Sequence, residues 1–431
     1  MRSKVLLFNL PPLGGDLFPV SIGYIAASLA RRGIESVICE IPSDTALTDQ
    51  EICDYILEYK PAVVGIAVYQ INIRMADWLA KLVKHCDPGI VVAIGGPQAT
   101  FMPSEALSHM RGVDVMIRGE GETVLPELVD SIERSRDLAE VKGIVFKSGK
   151  RICETAARPL VRDLDDLPSP YQSGVFRWKD HTGAAMLTSR GCTYNCGFCY
   201  TPGAFGRTIR AHSVRRVLGD TKVCYRHGLR RFFFADPSFT FDKERVRAIM
   251  RGIIKNRWKV EIWCETRSDL VDERLLALMA KAGVTYIAYG LESVDPVVNK
   301  VLNKRIDPRK FAETIRMTQA AGIEPEVFTL YGLPKQTRES ALQTLRFLQG
   351  LGVKIVHNSA GQQLYLFFGT DVFNNPGKYG LRVLDKRRPP FVSPGTDFET
   401  EWMTKKDIVF VARKYKEAAD SAKDNTASAK L

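Results

Sequence analysis

No stretch of the 431-residue sequence approaches the roughly 20 consecutive apolar residues that cross a bilayer, so no membrane span is expected. The opening residues, Met1-Arg-Ser-Lys-Val5-Leu-Leu-Phe8, have too short an apolar core for a signal peptide and read as a first strand. Without an export signal the expected compartment is the cytoplasm, where thiols stay reduced. A single basic stripe is also missing. The net charge is +12, yet Lys and Arg are spread along helices. The densest groups are Arg207, Arg210, Arg215 and Arg216; Arg226, Arg230 and Arg231; and Lys386, Arg387 and Arg388. That dispersal disfavours nucleic acid as a partner. With 45% hydrophobic and 26% charged residues the chain is globular, not disordered.

What the chain does have is Cys192-Thr-Tyr-Asn-Cys196-Gly-Phe-Cys199, three thiols at the spacing C-x3-C-x2-C. They follow the apolar run Ala184-Ala185-Met186-Leu187 and the turn residues Ser189, Arg190 and Gly191. Soft thiolates in a tight loop select a soft metal or an iron–sulfur cluster. Three cysteines fill three irons of a four-iron cluster and leave one open, and an open position is what makes a metal site catalytic. A structural zinc needs four ligands. No fourth is evident, since His181 and His212 stand on the wrong side of the loop or far along. The bland alternative, three buried structural cysteines, rarely crowds three into eight residues. The six other cysteines (Cys39, Cys53, Cys86, Cys153, Cys224, Cys264) are scattered and form no second motif.

This motif, with the aromatic Phe198 before its last cysteine, resembles the signature of the radical SAM superfamily. The resemblance implies a [4Fe–4S] cluster on Cys192, Cys196 and Cys199. It also implies S-adenosylmethionine (SAM) on the open iron, cleaved reductively to a 5′-deoxyadenosyl radical. An electron donor such as an acidic flavodoxin or ferredoxin then becomes a physical partner for a basic protein.

Residues 184–370 alternate strand and helix six times. Expected strands are 184–190, 231–236, 259–266, 285–292, 326–332 and 354–366, with glycines 228, 283, 322 and 352 stopping helices. Such repeats build a parallel barrel or half-barrel with its chemistry at the carboxyl ends; the resemblance implies a partial (β/α)6 barrel. Alternation sets Phe232, Phe234 and Asp236 on one face, with Asp236 ending its strand at the rim either as a catalytic acid or as a turn residue before Pro237. In Glu261-Ile-Trp-Cys-Glu265-Thr-Arg267 the odd residues share a face and should look into the lumen, which turns Cys264 into the core. By resemblance Glu265 and Arg267 contact SAM or substrate. Gly290-Leu-Glu292-Ser293 resembles a SAM-binding strand end, and Asn303-Lys304 a segment near the ribose. Tyr331-Gly332-Leu333 resembles an adenine contact, followed by Thr337 as a helix cap. Tyr200, directly after the last cysteine, joins the cofactor-facing candidates.

Residues 1–140 alternate too, as an open parallel Rossmann-like sheet would, with ligands beyond the carboxyl strand ends. The loops there are Leu10–Pro19, Tyr69–Asn72, Gly95-Gly96-Pro97-Gln98-Ala99-Thr100 and Arg118-Gly119-Glu120-Gly121-Glu122-Thr123. The last two resemble the cobalamin-binding domain that precedes the barrel in a large radical SAM subclass, and this makes Gly95, Gly96 and Gln98 cofactor candidates. The Asp-x-His-x-x-Gly motif that supplies a cobalt ligand is absent, and Gln98 stands where many relatives have His. Cobalamin is therefore bound without a protein imidazole, or the domain is a relic. Residues 141–180 read as a hairpin and a Pro/Asp linker, 181–372 as the barrel, and 373–431 as a less regular region with a helix near 404–418 and a frayed tail from Ser421.

The expected activity is hydrogen abstraction from an unactivated carbon of a small molecule, leading to cobalamin-dependent C-methylation. The alternative is cobalamin-independent dehydration, cyclisation or redox chemistry. A tRNA methylthiotransferase would need a second cysteine cluster, which Cys39, Cys53 and Cys86 do not form. A non-catalytic carrier would not need the SAM-strand motifs. The lumenal acids Asp236, Glu261, Glu265 and Glu326 suit an amine-bearing substrate such as an aminosugar.

Overall fold

The computed structural model describes residues 3–11, 17, 19–41, 47–355 and 360–428. The first half alternates β1 (Lys4–Asn9), α1 (Val20–Arg31), β2 (Glu35–Glu40), α2 (Asp49–Tyr59), β3 (Val63–Ala67), α3 (Ile73–Cys86), β4 (Val91–Gly95), α4 (Pro97–Phe101), β5 (Val115–Ile117) and α5 (Gly121–Glu133), then the hairpin β6 (Ile144–Ser148) and β7 (Arg151–Glu154). Helices cover both faces, so Val5, Leu6, Leu7 and Phe8 are all buried. The strand order is β2-β1-β3-β4-β5-β6-β7, parallel except for the hairpin, which pairs antiparallel with β5. The hairpin expected in the connector thus extends this sheet. The order reverses between β1 and β3, where such sheets form a ligand crevice.

The second half runs β8 (Gly183–Met186), β9 (Ser189–Arg190), α6 (Thr201–Phe205), β10 (Arg210–Ala211), α7 (Val214–Arg226), β11 (Arg231–Phe234), α8 (Lys243–Lys255), β12 (Glu261–Thr266), α9 (Glu273–Ala282), β13 (Val284–Glu292), α10 (Pro296–Val301), α11 (Pro308–Ala320), β14 (Glu324–Tyr331), α12 (Arg338–Gly350) and β15 (Gln362–Gln363). Six strands make one parallel sheet in the order β15-β14-β13-β12-β11-β8, a half-barrel. Side-chain caps Ser213, Asp242, Asp272, Asp307 and Thr337 start α7, α8, α9, α11 and α12. The sixth strand is shorter than expected. Of the described residues in 354–366 only Gln362–Gln363 joins this sheet, Leu366 instead bridges antiparallel to Gly395, and 356–359 lie outside the described residues. The last part holds α13 (Asp371–Asn374), β16 (Leu381–Val383), β17 (Phe398–Thr400) and α14 (Lys405–Ser428). α14 continues well past Ser421, where fraying was expected; its polar tail residues keep helical backbone.

The two halves share a core. Val20 and Tyr24 of α1 pack into the barrel's hydrophobic cluster, and a Cβ on Gly23 would lie 2.4 Å from the Phe176 ring. Cys53 of α2 and Cys86 of α3 form a disulfide with Cα atoms 5.7 Å apart. This corrects the expectation of unpaired thiols: residues 33 apart in sequence meet only once α2 lies on α3. Among the described residues no helix is long and apolar enough to cross a membrane.

Candidate functional site

The cysteine loop is tied to the barrel by its backbone. Cys192 N donates to Gly206 O (3.1 Å), Gly197 N to Leu302 O (2.9 Å) and Val372 N to Gly197 O (3.0 Å). Asn303 Nδ2 donates to Asn195 O at 3.0 Å. The three thiols are half-buried and in no disulfide, and the Tyr194 N–H donates to Cys192. Burial pushes Cys192 up and Cys196 up to about 11, while Lys304 and Arg267 act in the opposite direction on both. Two cations beside three sulfurs are what a thiolate set needs. Among the described residues no three His, Cys, Asp or Glu gather tightly enough for a single metal ion. A lone zinc therefore does not fit these residues, whereas a cluster spreads its irons over a wider ligand set. His181 bonds Glu40 (3.2 Å), and His212 lies between Asp165 (2.9 Å) and Tyr24 (2.9 Å), so neither serves the loop.

Behind the loop lies a buried ion pair. Lys304 Nζ donates to Glu292 Oε1 at 2.8 Å. Burial disfavours the ammonium, but Glu292 and the nearby Cys196 outweigh it and raise Lys304. Arg267 reaches the same corner. Its Nη1 donates to Lys304 O (3.2 Å), its other nitrogens bond Asp269, and its guanidinium covers the Tyr194 ring at 3.8 Å. Backbone strain collects here. Glu292, Asn303 and Arg305 are non-glycine residues with φ of 64°, 55° and 52°, a conformation costing on the order of 1 kcal/mol each. A Cβ on Gly290 would lie 2.6 Å from Lys304 Nζ and 2.7 Å from Glu292 Oε1, so the ends of these two side chains would have to shift to admit one.

Between the carboxyl ends of the two sheets lies a chamber of about 710 Å³. The first sheet contributes Gly65, Ala67, Tyr69, Gly95, Gly96, Thr100, Gly119 and Gly121, and α1 contributes Val20, Ser21 and Ile25. The barrel contributes Leu187, Tyr200, Ala204, Phe205, Phe233 and Glu265. No histidine lines it among the described residues. The Leu10–Pro19 loop, expected on this rim, lies largely outside the described residues. A Cβ on Gly95 would come no closer than 3.6 Å to the Ile117 Cβ, and one on Gly119 would meet nothing within 4 Å. The rim therefore leaves open room where a flat ligand could lie against the backbone.

One wall of the chamber is an ion network that crosses between the halves. Arg190, two residues before Cys192, donates to Glu120 Oε1 (2.8 Å) and Glu122 Oε1 (2.5 Å). Arg210 Nη1 adds a bond to Glu120 Oε2 at 3.0 Å, and Val161 N another at 2.7 Å. The side chains of Arg190, Glu120 and Glu122 are only 5%, 3% and 6% exposed. Burial would raise Glu120, but Arg210, Arg190 and Val161 N together hold it below the usual carboxylate range. Arg190 also lies over the Tyr24 ring at 5.3 Å. The Arg-Gly-Glu-Gly-Glu loop thus grips the strand that leads into the cysteines.

The structure brings Cys192, Cys196, Cys199, Arg267, Gly290 and Glu292 into one corner, and Tyr200, Glu265, Gly95 and Gly96 into the chamber wall. Other candidates fall elsewhere. Asp236 is fully buried and accepts from Thr188 N (2.6 Å), Ser189 N (2.9 Å) and the Thr188 hydroxyl. The reason is strand parity. Phe232 and Phe234 pack toward the helices, so Asp236 follows them inward while Phe233 and Ala235 line the chamber. Gln98 is 3% exposed and its Nε2 donates to Phe391 O at 2.8 Å, so it points away from the chamber. Ser293 is buried, its Oγ accepting from Asp295 N at 3.1 Å. The Tyr331 ring stacks on Tyr415 of α14 (5.9 Å), and Leu333 N donates to Gln336 Oε1 while its side chain is fully buried. Glu261 is exposed at the amino end of β12. Sequence reasoning missed the Arg190 network, because the signal lies in two segments roughly 70 residues apart that only the tertiary fold joins.

Comparison with known proteins agrees with this geometry. Residues 186–348 match the model of the radical SAM superfamily, and residues 9–129 match the B12 binding domain. An uncharacterised methyltransferase of Pyrococcus horikoshii is 27% identical over 82% of this chain and 79% of its own length. An anaerobic magnesium-protoporphyrin IX monomethyl ester cyclase of Rubrivivax gelatinosus is 26% identical over 89% of this chain and 70% of its own. The cobalamin-dependent radical SAM methyltransferase TokK of Streptomyces tokunonensis is 32% identical over 78% of this chain, which spans 52% of TokK. In fold, the radical SAM methyltransferase TsrM of Kitasatospora setae superposes with a TM-score of 0.75 at 19% identity, over 90% of this chain and 78% of that one. The chain belongs to the radical SAM superfamily, as a member with an N-terminal B12-binding domain, and it is an enzyme. Its domains imply a [4Fe–4S] cluster, SAM and cobalamin.

Proposed function

We propose that this chain is a cobalamin-dependent radical SAM C-methyltransferase acting on an unactivated carbon of a small molecule. The observation that carries the reading is the shared chamber. Tyr200, bonded in sequence to Cys199, stands in the same wall system as Gly95 and Gly119 of the B12-binding domain. When bound, the cluster with SAM supplies a 5′-deoxyadenosyl radical and the cobalamin a transferable methyl group. Cys192, Cys196 and Cys199 would hold three irons, with Lys304 and Arg267 offsetting their negative charge. The Glu292–Lys304 pair presents both charge signs at the corner where the amino-acid end of SAM would seat, and Gly290 leaves it space. Leu187, Ala204, Phe205 and Phe233 keep water from the carbon to be attacked. Glycine-bearing rims would take the corrin, with no imidazole among the described lining residues. The reductant would be a flavodoxin or ferredoxin.

The methyltransferase relatives support this reading. The similarity to a cyclase over most of the chain favours a second one, radical chemistry without methyl transfer. Anaerobic reconstitution with hydroxocobalamin, SAM and dithionite separates them. Methyl transfer yields S-adenosylhomocysteine beside 5′-deoxyadenosine; the second reading yields 5′-deoxyadenosine alone.

A further inference from the structure

The barrel face of the chamber carries a carboxyl group without a bonding partner among the described residues. Glu265 lies two residues beyond Trp263 on the same face of β12, and its side chain forms part of the chamber wall. No hydrogen bond or ion pair from a described residue reaches it. The register carries Glu265 to Ala288 on β13 and Ala288 to Glu326 on β14. The two acids therefore share one row, about 10 Å apart at two strand spacings, with only a methyl group between. Asp236 behind β11 is the other acid acting on it, and Tyr200, Tyr69, Glu120 and Glu122 are the other acidic or phenolic groups among the described lining residues. Arg190 is the one cation among the described lining residues, and it is committed to Glu120 and Glu122. Burial, reinforced by Glu326 and Asp236, pushes the Glu265 carboxyl up to about 7. Beside it Phe233 stacks on Trp263 at 4.2 Å, and Phe233 faces the chamber. Trp263 Nε1 is buried without a partner.

A half-buried carboxyl in a chamber wall, with no protein donor among the described residues, is open to a ligand that completes it. An aromatic pair beside an acid is the setting that holds an organic ammonium, by charge on one side and ring face on the other. We propose that Glu265 is a substrate-binding residue for a protonated amine, so that the substrate carries a basic nitrogen seated between Glu265 and the Phe233–Trp263 pair. This rests on the reading of the chamber as the reaction site and narrows the substrate class. The alternative owner of an ammonium is SAM itself, through its amino-acid end.

The test uses anaerobically reconstituted holoprotein and two probes of equal shape, phenethylamine and 2-phenylethanol, with binding measured calorimetrically at pH 8. The amine should bind about tenfold more tightly than the alcohol. In Glu265→Gln that preference should fall to about twofold or less, with SAM affinity unchanged and the unfolding midpoint not lowered. Amine binding at pH 7 should also release protons, read as a heat that varies with buffer ionisation enthalpy, because pairing drives the carboxyl to ionise. No preference for the amine in the native chain, or a preference that survives in Glu265→Gln, overturns the proposal. A loss of about tenfold in SAM affinity in Glu265→Gln also overturns it and gives the carboxylate to SAM instead. The outcome is independent of methyl transfer. A chain that takes up no cobalamin yet prefers the amine through Glu265 leaves this inference standing and removes the methyltransferase reading.

Discussion

Replacing Arg190 with Met keeps an unbranched apolar stem and removes the guanidinium with its charge. Two carboxylates that are 3% and 6% exposed then lose their main partner. Glu120 keeps Arg210 and Val161 N, but among the described residues Glu122 has no other bond to a charged side chain. Breaking a buried pair by removing one partner costs about 3–5 kcal/mol. A ceiling follows from protonation. A stranded carboxylate can take up a proton instead, which costs about 1.4 kcal/mol for each pH unit above its ordinary value near 4.3, or about 4 kcal/mol at pH 7 and under about 2 at pH 5.5. The penalty of Arg190→Met should therefore be about 3–4 kcal/mol at pH 7 and roughly half that at pH 5.5. The sign follows from linkage: a carboxyl whose value is raised in the folded variant loses stability as pH rises. Urea unfolding of the native chain, of Arg190→Met and of Arg190→Met/Glu122→Gln at both pH values reads this out. The double variant should recover at least about 1 kcal/mol at pH 7. A penalty below about 1 kcal/mol, or one that does not change with pH, would refute the network as a buried clasp.

Other expectations follow from the same geometry. Ala at Cys192, Cys196 or Cys199 should deplete iron and abolish SAM cleavage; full iron content in any single variant would remove that residue from the ligand set. Gly290→Ala should force the Glu292–Lys304 pair apart and weaken SAM binding by about tenfold or more while iron content holds, and unchanged SAM affinity would detach the pair from SAM. Gly95→Leu should block cobalamin uptake at little cost in stability, since its Cβ has room. Gly96→Ala should destabilise the rim with or without ligand, because its Cβ would meet Val68 O at 2.6 Å in a backbone with φ of 115°. Equal effects of the two glycine changes on stability would contradict this division. Glu265→Gln should stabilise the chain at pH 8 relative to pH 5, by about 1–3 kcal/mol, because a carboxyl raised to about 7 costs stability as pH climbs past it. No gain at pH 8 would mean that the carboxyl is solvated after all.

The fold was legible because its signals are local. Apolar runs covered on both faces, as in Val5–Phe8, and cap residues such as Asp272 and Thr337 define strands and helix starts within a few positions. The cysteine loop was legible for the same reason, since its three cysteines lie within eight residues. Strand parity was legible for Glu265 and Cys264, and it put Phe232, Phe234 and Asp236 on one face, but it did not show that this face packs toward the helices, where Asp236 accepts from Thr188 N and Ser189 N. The glycine-rich loop Gly95–Thr100 showed that backbone comes close to something. It did not show that for Gly96 the neighbour is Val68. Pairings that span the chain, such as Arg190 with Glu120 and Cys53 with Cys86, leave no local trace.

The central claim is that both cofactors meet in one chamber and that a methyl group is the product of their meeting. The most direct measurement is the product mixture of the anaerobically reconstituted chain given SAM labelled with deuterium in its methyl group, together with hydroxocobalamin and dithionite, in native form and as Gly95→Leu. The native chain should release unlabelled S-adenosylhomocysteine and place one deuterated methyl on its substrate, and Gly95→Leu should keep 5′-deoxyadenosine formation while losing the methylated product. A native chain that makes 5′-deoxyadenosine with no S-adenosylhomocysteine, or a Gly95→Leu chain that methylates as well as the native one, would contradict the account.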